Sequence, residues 1–191
     1  MEPIYSVMIG ALAVADTLGD VLAVETELKW PNDVLICKRK VCGILAESSR
    51  QAGIDRVVVG IGLNVNAAKQ SSAGFPTDAA TLEEELGTPV DREELTVALF
   101  NRLDLWYGKL TEDPGLVFRA WSSRLEVLGS PVLVREATGD WTGIATDVQL
   151  DGALVVRDER GDDRAVYAAD VTIRNPEDCT GPDTHHTVMT S

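Results

Sequence analysis

The sequence predicts an α+β protein, with a mixed β-sheet packed by helices over residues 1–127, a small β-barrel over 128–174 and a disordered tail over 175–191. Three observations predict this organisation. Apolar segments in the first third alternate between helical and strand periodicity. Helical patterns dominate from residue 91 to about residue 125. Beyond Gly129, short strand patterns recur about every eight to twelve residues, with turns rich in glycine and aspartate, as in small barrels.

The first third of the chain contains one helix and four strands. Ser6 to Leu18 is apolar nearly all round, which predicts a buried helix that stops at Gly19. The segment Pro31-Asn32-Asp33 predicts a turn, because proline presets one backbone angle and Asn or Asp can bond the backbone just beyond it. Short turns of this kind favour a mixed or antiparallel sheet. The predicted strands, rich in Val, Ile and Leu, are Val24–Trp30, Val34–Cys37, Val41–Glu47 and Val57–Val65.

The middle of the chain is predicted to be helical. Residues 67–80 lack periodicity and predict a surface loop. Asp91 with Glu94 resembles a capping box and starts a helix. Asp113-Pro114 starts another, because proline fits the first helical turn. The predicted apolar faces are Leu95, Leu99, Leu103, Trp106 and Leu110 in the first helix, and Val117, Ala120, Trp121 and either Arg124 or Leu125 in the second.

The last part of the chain is predicted to form the small barrel. We expect this barrel to be too small to hold a catalytic site of its own. Its predicted strands are Pro131–Arg135, Thr142–Val148, Ala153–Arg157, Arg164–Tyr167 and Val171–Arg174.

Composition limits the class of protein. A net charge of -14 and a pI near 4.4 argue against nucleic-acid binding, which depends on basic surfaces. No apolar run approaches the roughly 18 residues that cross a bilayer, and the start Met1-Glu2-Pro3 lacks the positive flank of a signal peptide. We therefore expect a cytoplasmic protein that binds no membrane. Three cysteines and two histidines match no zinc-ligand spacing, so we expect no metal-binding side chains: they are Cys37, Cys42, Cys179, His185 and His186.

Basic residues are concentrated at positions 29–40, against the overall charge. This stretch holds four of the 17 Lys and Arg residues and a single acid, Asp33. Lys29, at the end of a predicted strand, is placed to reach across a cleft, and a fixed ammonium there could hold a carboxylate beside a phosphate. Such a cation lowers the barrier to a reaction between two anions, because its attraction grows as charge accumulates in the transition state. The stretch therefore indicates an anionic ligand.

Each of these residues also has a purely structural interpretation. Lys29 is then an ordinary strand-end lysine and Trp30 a core residue. Asn32 and Asp33 form the turn, while residues 38–40 form a solvated hairpin tip. The pair Gly60 and Gly62 lacks the third glycine of a dinucleotide fingerprint, although the asparagines that follow could hydrogen-bond a flat base.

Three segments together carry a resemblance to a known family. Lys29-Trp-Pro-Asn-Asp33, Lys40-Val-Cys-Gly-Ile-Leu-Ala-Glu47 and Gly60-Ile-Gly-Leu-Asn-Val-Asn66 resemble, in order and spacing, the biotin protein ligases. The resemblance covers residues 4–174. It implies a class II synthetase-like catalytic domain followed by an SH3-like barrel. It also implies an enzyme that uses ATP and Mg²⁺ to convert biotin to biotinyl-5′-adenylate and then biotinylates a lysine of a biotin carboxyl carrier domain.

The resemblance also implies roles for individual residues. Lys29 would contact biotin and the acyl phosphate as the catalytic residue. Asn32 and Asp33 would shape the nucleotide and magnesium side, and Lys40 would lie near the phosphates. Gly43 would allow close backbone packing beside biotin. Asn64 would face the adenine.

The chain departs from the family pattern before its first helix. The Ser-Thr-Asn stretch and the Gly-Arg-Gly-Arg-type loop of the family do not occur in these 191 residues. We therefore expect a catalytic domain without its amino-terminal portion, with an exposed apolar sheet edge and little or no activity alone. A noncatalytic carrier-binding module and, with less support, a lipoyl or octanoyl transferase are the alternatives. A homodimer through the sheet is left open.

Overall fold

A computed structural model of the chain describes residues 3–51, 54–66, 79–137, 139–167 and 169–173. The predicted tail and residues 67–78 of the predicted loop lie outside these ranges. Four helices and nine strands are formed within them: α1 (Pro3–Leu22), β1 (Glu27–Lys29), β2 (Asp33–Ile36), β3 (Arg39–Gln51), β4 (Ile54–Leu63), α2 (Leu82–Leu86), α3 (Arg92–Glu112), α4 (Pro114–Ser122), β5 (Pro131–Glu136), β6 (Gly139–Val148), β7 (Leu154–Asp158), β8 (Asp163–Val166) and β9 (Asp170–Ile173).

Helix α1 is longer than the sequence pattern predicted. It runs through Gly19 to Leu22, so the prediction of a stop at that glycine was wrong. The helix ends at Ala23, which has a φ of 54° and donates its N–H to the Gly19 carbonyl, while Val24 N–H donates to the Leu18 carbonyl. This is the bonding pattern of a left-handed helix end, taken here by alanine where glycine is usual.

The same helix corrects an expectation about membranes. With 20 residues, α1 is long and apolar enough to cross a bilayer, although no run of that kind was expected from the sequence. In the fold, 61% of its apolar window is buried against the rest of the protein. Its composition is that of a core helix, whose apolar surface is covered by protein on most sides.

The first sheet has the strand order β1-β2-β3-β4, and every pair of neighbouring strands in it is antiparallel. Short connections explain this, since β2 and β3 are joined by only Cys37 and Lys38, which both adopt positive φ as a tight hairpin turn requires. Parallel contacts are present as two isolated bridges, Leu28 with Leu125 and Lys40 with Ala79. The mixed character that was expected is confined to these bridges.

The helices begin and end largely as predicted. Asp91 caps α3 by accepting from the N–H groups of Glu93 and Glu94, and α4 begins at Pro114. The predicted apolar faces are directed to the core, with the largest side chains, Trp106 and Trp121, buried. Short helix α2 was not predicted, although Thr81 forms a complete capping box with Glu84 at its start.

Asp16 of α1 links the three long helices. Its Oδ2 accepts a hydrogen bond of 2.9 Å from Trp106 Nε1 of α3, and its Oδ1 accepts one of 2.7 Å from Arg124 Nη1, just beyond α4. One partly buried carboxylate is therefore satisfied by both neighbours, as such a group requires. This contact fixes how α3 and α4 pack on α1.

The second sheet has the order β8-β7-β6-β5-β9 and is antiparallel throughout. Its five strands confirm the five that the turn spacing predicted. The indole Nε1 of Trp30, which is buried, donates a 2.9 Å hydrogen bond to the Gly152 carbonyl in the turn between β6 and β7. Trp30 is thus a core residue that joins the two sheets.

Candidate functional site

The strand register aligns four residues in one row across the first sheet. Lys29 pairs with Asp33, Asp33 with Gly43, and Gly43 with Gly62. The adjacent row, Leu28, Val34 and Cys42, is buried against α1. Since successive side chains in a strand point to opposite faces, the row that begins with Lys29 belongs to the opposite face. We call this the open face.

The open face is exposed beyond this row. Leu45 and Val58 lie on it and are 60% and 66% exposed, respectively. Gly60 and Gly62 of β4 have no side chain within 4 Å of a built Cβ, so the backbone there is uncovered by side chains. The exposed apolar surface expected from the sequence is therefore present, on the face of the sheet as well as at its edge.

Lys29 lies where β1 ends. Its side chain is 28% exposed, and its Nζ lies 4.0 Å from Asp170 Oδ1 at the start of β9. The strand end places the ammonium between the two sheets, and its partner comes from the small sheet, which the sequence did not indicate.

Asp33 and Lys40 form the closest ion pair at the site. Lys40 Nζ lies 2.7 Å from Asp33 Oδ1, an oxygen that is buried and accepts no hydrogen bond of regular geometry. Gly43 lies directly beneath this pair. A Cβ built on Gly43 would be 3.2 Å from Lys40 Nζ and 3.4 Å from Asp33 Oδ1, so a glycine at this position leaves room for the pair.

Asn32 and Asn64 are used to hold the backbone. Asn32 Nδ2 donates to the Ile44 carbonyl at 2.8 Å, and the backbone carbonyl of Asn32 accepts from Ile44 N–H at 2.9 Å. These two hydrogen bonds attach the turn to β3. Asn64 Nδ2 donates to the Ala80 carbonyl at 3.1 Å, and the backbone carbonyl of Asn64 accepts from Leu82 N–H. The structure does not bring either amide into contact with Lys29, and their predicted nucleotide roles stay predictions.

A cleft of about 510 Å³ lies between the two sheets and brings three predicted residues together. Its lining consists of Lys29, Asp33, Leu35, Lys38, Lys40, Glu126, Ser130, Thr172 and Ile173. The small sheet therefore contributes to the candidate site through β9, although no sequence pattern indicated a role for it. A second cavity of about 380 Å³, between β4 and α3, has a mainly apolar lining and Arg92 as its charged residue.

Lys38 is held by two carboxylates. Its Nζ donates to Glu27 Oε1 at 2.8 Å and to Glu126 Oε2 at 2.9 Å. The hydrogen bonds to Glu27 and then Glu126 raise the pKa of Lys38 above its ordinary value. Lys38 therefore attaches the segment after α4 to the hairpin, and its charge is already neutralised.

The basic stretch found in the sequence is neutralised throughout by the fold. Each of its four cations has an acidic partner: Lys29 with Asp170, Lys38 with Glu27 and Glu126, Arg39 with Glu84 and Glu85, and Lys40 with Asp33. Most of these acids are distant in sequence. The local excess of positive charge alone is therefore weaker support for an anionic ligand than it was in the sequence.

Cys37 and Cys42, the cysteines within the described residues, do not line the cleft. Burial raises the pKa of the Cys42 thiol to about 12, with a further contribution from the charge of Asp33 and an opposing one from Lys40. Cys37 lies exposed at the hairpin tip, while Cys179 and the two histidines lie outside the described residues.

The side chains of the cleft do not fit a metal ion held by the protein. Within the described ranges, no group of three or more His, Cys, Asp or Glu side chains could hold a metal. The two carboxylates that line the cleft, Asp33 and Glu126, are engaged by Lys40 and Lys38. The Mg²⁺ that the resemblance implied therefore has no site built by these side chains.

Comparison with known proteins decides the family. Residues 2–64 match the sequence profile described as the Biotin/lipoate A/B protein ligase family. A biotin–[acetyl-CoA-carboxylase] ligase of Paracoccus denitrificans is 36% identical over 159 residues, which cover 80% of this chain and 66% of that protein. The chain belongs to the biotin protein ligase family. The protein of the same description from Mycobacterium tuberculosis is 34% identical, with 84% of this chain and 59% of that protein covered.

The fold agrees with this assignment. The biotin protein ligase of Aquifex aeolicus, solved in complex with biotin and ATP, superposes with a TM-score of 0.73 at 26% identity over 91% of this chain and 72% of that one. The described chain thus has the α+β organisation of its family. It spans 66% of the length of the Paracoccus ligase and 59% of the Mycobacterium ligase, less than two thirds of each.

Proposed function

We propose that this protein is a biotin–carboxyl carrier protein ligase. It would activate biotin with ATP to biotinyl-5′-AMP and transfer the biotinyl group to a lysine of the carrier domain of a biotin-dependent carboxylase. Membership of the ligase family supports the reaction, and the solved Aquifex relative with biotin and ATP supports the two substrates. The observation that carries the proposal is the convergence of Lys29, Asp33 and Lys40 on one cleft, with glycines beneath them.

Lys29 is the residue we propose to be catalytic. Two anions, the biotin carboxylate and the α-phosphate, must meet for the adenylate to form. An ammonium fixed at a strand end and facing the cleft would attract both, and would interact more strongly as negative charge accumulates on the phosphorus centre. Lys40, held by Asp33, would provide a second positive centre for the phosphates.

The remaining assignments follow from the same cleft. We propose that Asp33 positions Lys40 and that Gly43 leaves room for this ion pair. Asn32 and Asn64 would shape the nucleotide site by holding the backbone around it. Magnesium would enter with the nucleotide, held by phosphate oxygens and water, which is its common mode of binding. The small antiparallel sheet is proposed to be an SH3-like barrel, and the protein is proposed to act in the cytoplasm.

The test is biotin-dependent release of pyrophosphate from ATP by the purified protein, with and without the Lys29→Ala substitution. Loss of one preorganised charged contact is expected to slow adenylate formation about 10²–10³-fold. Lys109→Ala is the control, because it removes the same charge from the surface of α3, where Lys109 lies over the Trp106 ring.

Three outcomes separate the alternatives. Activity of Lys29→Ala within threefold of the unmutated protein would reject its catalytic role. Binding of a carrier domain without any biotin-dependent pyrophosphate release would favour a noncatalytic carrier-binding module. Transfer of lipoate or octanoate in preference to biotin would favour the related acyltransferases.

A further inference from the structure

Asp170, at the start of β9, lies beside the proposed catalytic lysine. Its Oδ1 lies 4.0 Å from Lys29 Nζ, and its Oδ2 accepts a hydrogen bond of 3.2 Å from Arg135 Nη1 of β5. The carboxylate is therefore held in place by Arg135, within the small sheet, while its free oxygen points toward Lys29.

Lys29 differs from the other two lysines of the cleft in how loosely it is held. Lys38 donates to two carboxylates at 2.8 and 2.9 Å, and Lys40 lies 2.7 Å from Asp33. The distance of 4.0 Å from Lys29 to Asp170 is at the limit of an ion pair, and both side chains are partly exposed. Lys29 is thus the lysine of this cleft whose partner an incoming anion can replace most easily.

We propose that Asp170 is the resting counterion of Lys29, and that an anionic ligand must take its place to bind. This inference rests on the proposed function, since it concerns the ATP and biotin of the same site. The Asp170 carboxylate, 4.0 Å from the Lys29 ammonium, competes with any ligand carboxylate or phosphate that binds there. It therefore lowers the affinity for such ligands, by competing for the ammonium and by repelling a like charge.

The contact also connects the two sheets. Asp170 lies in β9, the strand whose Thr172 and Ile173 line the cleft. An anion bound at Lys29 releases the contact that Lys29 of β1 makes with Asp170 of β9. The contact of the small sheet with Lys29 therefore depends on whether an anion is bound there.

Asp170→Asn is the test, because asparagine keeps the shape and can still accept from Arg135. Asp140→Asn is a closely matched control. Asp140 pairs with the same arginine, at 3.7 Å, its side chain is 57% exposed against 58% for Asp170, and its described ion pair does not include Lys29. Both substitutions change the net charge by one unit, so a general effect of charge is equal in the two.

Affinities for ATP and for inorganic pyrophosphate are measured by calorimetric titration at low and high salt. The KM for ATP is measured from the rate of pyrophosphate release. Asp170→Asn is expected to strengthen anion binding and lower KM about two- to fivefold, as expected for a partly exposed pair. Asp140→Asn should change neither by more than about 1.5-fold. The difference should shrink in high salt, because exposed charges are screened. Removing Lys29 as well should reduce the effect of Asp170→Asn by at least half.

Equal behaviour of the two asparagine variants would overturn the proposal, and so would weaker anion binding by Asp170→Asn, which would mean that the carboxylate positions Lys29 productively. Failure of every variant to bind pyrophosphate or ATP would also overturn it. Failure of the proposed function has a different signature. There, the unmutated protein shows no biotin-dependent pyrophosphate release, while the titrations still rank the two variants.

Discussion

The two faces of the first sheet are made by the same four strands and have opposite character. One face carries Leu28, Val34 and Cys42, all buried against α1. The other carries Lys29, Asp33 and Gly43 in the neighbouring row and remains open to the cleft. Because side chains alternate along a strand, one residue packs in the core while the next faces the cleft. Adjacent residues are natural partners for experiments that separate folding from function.

Leu28 and Lys29 are the first such pair, and the largest effect on stability is expected here. Leu28 is 1% exposed, so Leu28→Ala should lower the free energy of unfolding by about 2–5 kcal/mol through lost burial and a cavity. Lys29→Ala should change it by less than about 0.5 kcal/mol, because its ion pair is long and partly exposed. Urea unfolding followed by circular dichroism measures both. A comparable loss of stability in the two variants would contradict the division between the faces.

Trp30, the next residue, tests how strongly the first sheet is attached to the second. Trp30→Phe keeps most of the buried ring but removes the donor to the Gly152 carbonyl. An acceptor left buried without its donor costs about 1–3 kcal/mol. The loss of unfolding free energy is measured by urea unfolding. Trp141→Phe, measured in the same way, is the control, because the buried Nε1 of Trp141 has no hydrogen-bond partner to lose. Equal losses in the two variants would show that the hydrogen bond to Gly152 is not what matters.

Periodicity and turn chemistry were enough to predict most of the fold. The apolar faces of α3 and α4 and most strands of both sheets depend on local patterns and agree with the predictions, whereas the first strand, predicted over Val24–Trp30, forms only over Glu27–Lys29. The end of α1 was misplaced because an alanine took the left-handed conformation that glycine usually takes. A local pattern shows which conformations are favoured, whereas tertiary packing decides whether a helix continues through an exposed glycine.

The candidate site was predictable only in part, because half of its contacts are distant in sequence. Lys29, Asp33 and Lys40 were identified from one short stretch and the family resemblance. Their partner Asp170, and the clamp of Lys38 by Glu126, join segments separated by more than 80 residues. Neither acid is marked by a local motif. Long-range ion pairs of this kind follow from how the two sheets pack, which a single sequence does not show.

Cys42 and Gly43 are the second pair of neighbours on opposite faces, and Cys42 gives a pH effect of intermediate size. Its pKa is raised to about 12 in the folded protein, compared with about 8.5 for a free thiol. The stabilising contribution is complete below the unfolded value and is lost as the pH rises toward the folded value, because only the unfolded thiol ionises there. Unfolding free energy should thus fall by about 1 kcal/mol from neutral pH to pH 9.5 on account of this group.

The check for Cys42 compares two substitutions. Cys42→Ala should flatten that part of the stability profile against pH, whereas Cys37→Ala, at the exposed hairpin tip, should leave its slope unchanged. Alkylation of the native protein at pH 8 should modify Cys37 readily and Cys42 slowly. Rapid modification of Cys42 in the native protein would show that the core face is not closed at this strand.

Gly43→Ala should have only a small effect on stability and still affect the cleft. The added Cβ would meet Lys40 Nζ at 3.2 Å, and the end of a lysine side chain can move away, so we expect a loss below about 1 kcal/mol. The displaced ammonium would separate from Asp33, and the KM for ATP is expected to rise severalfold. Gly108→Ala is the control, because nothing lies within 4 Å of its Cβ on α3, and alanine there should stabilise the helix by up to about 1 kcal/mol without changing KM. An unchanged KM in Gly43→Ala would show that the position of Lys40 does not affect nucleotide binding. Of the two proposed positive centres, Lys29 would then be the one that binds the phosphates.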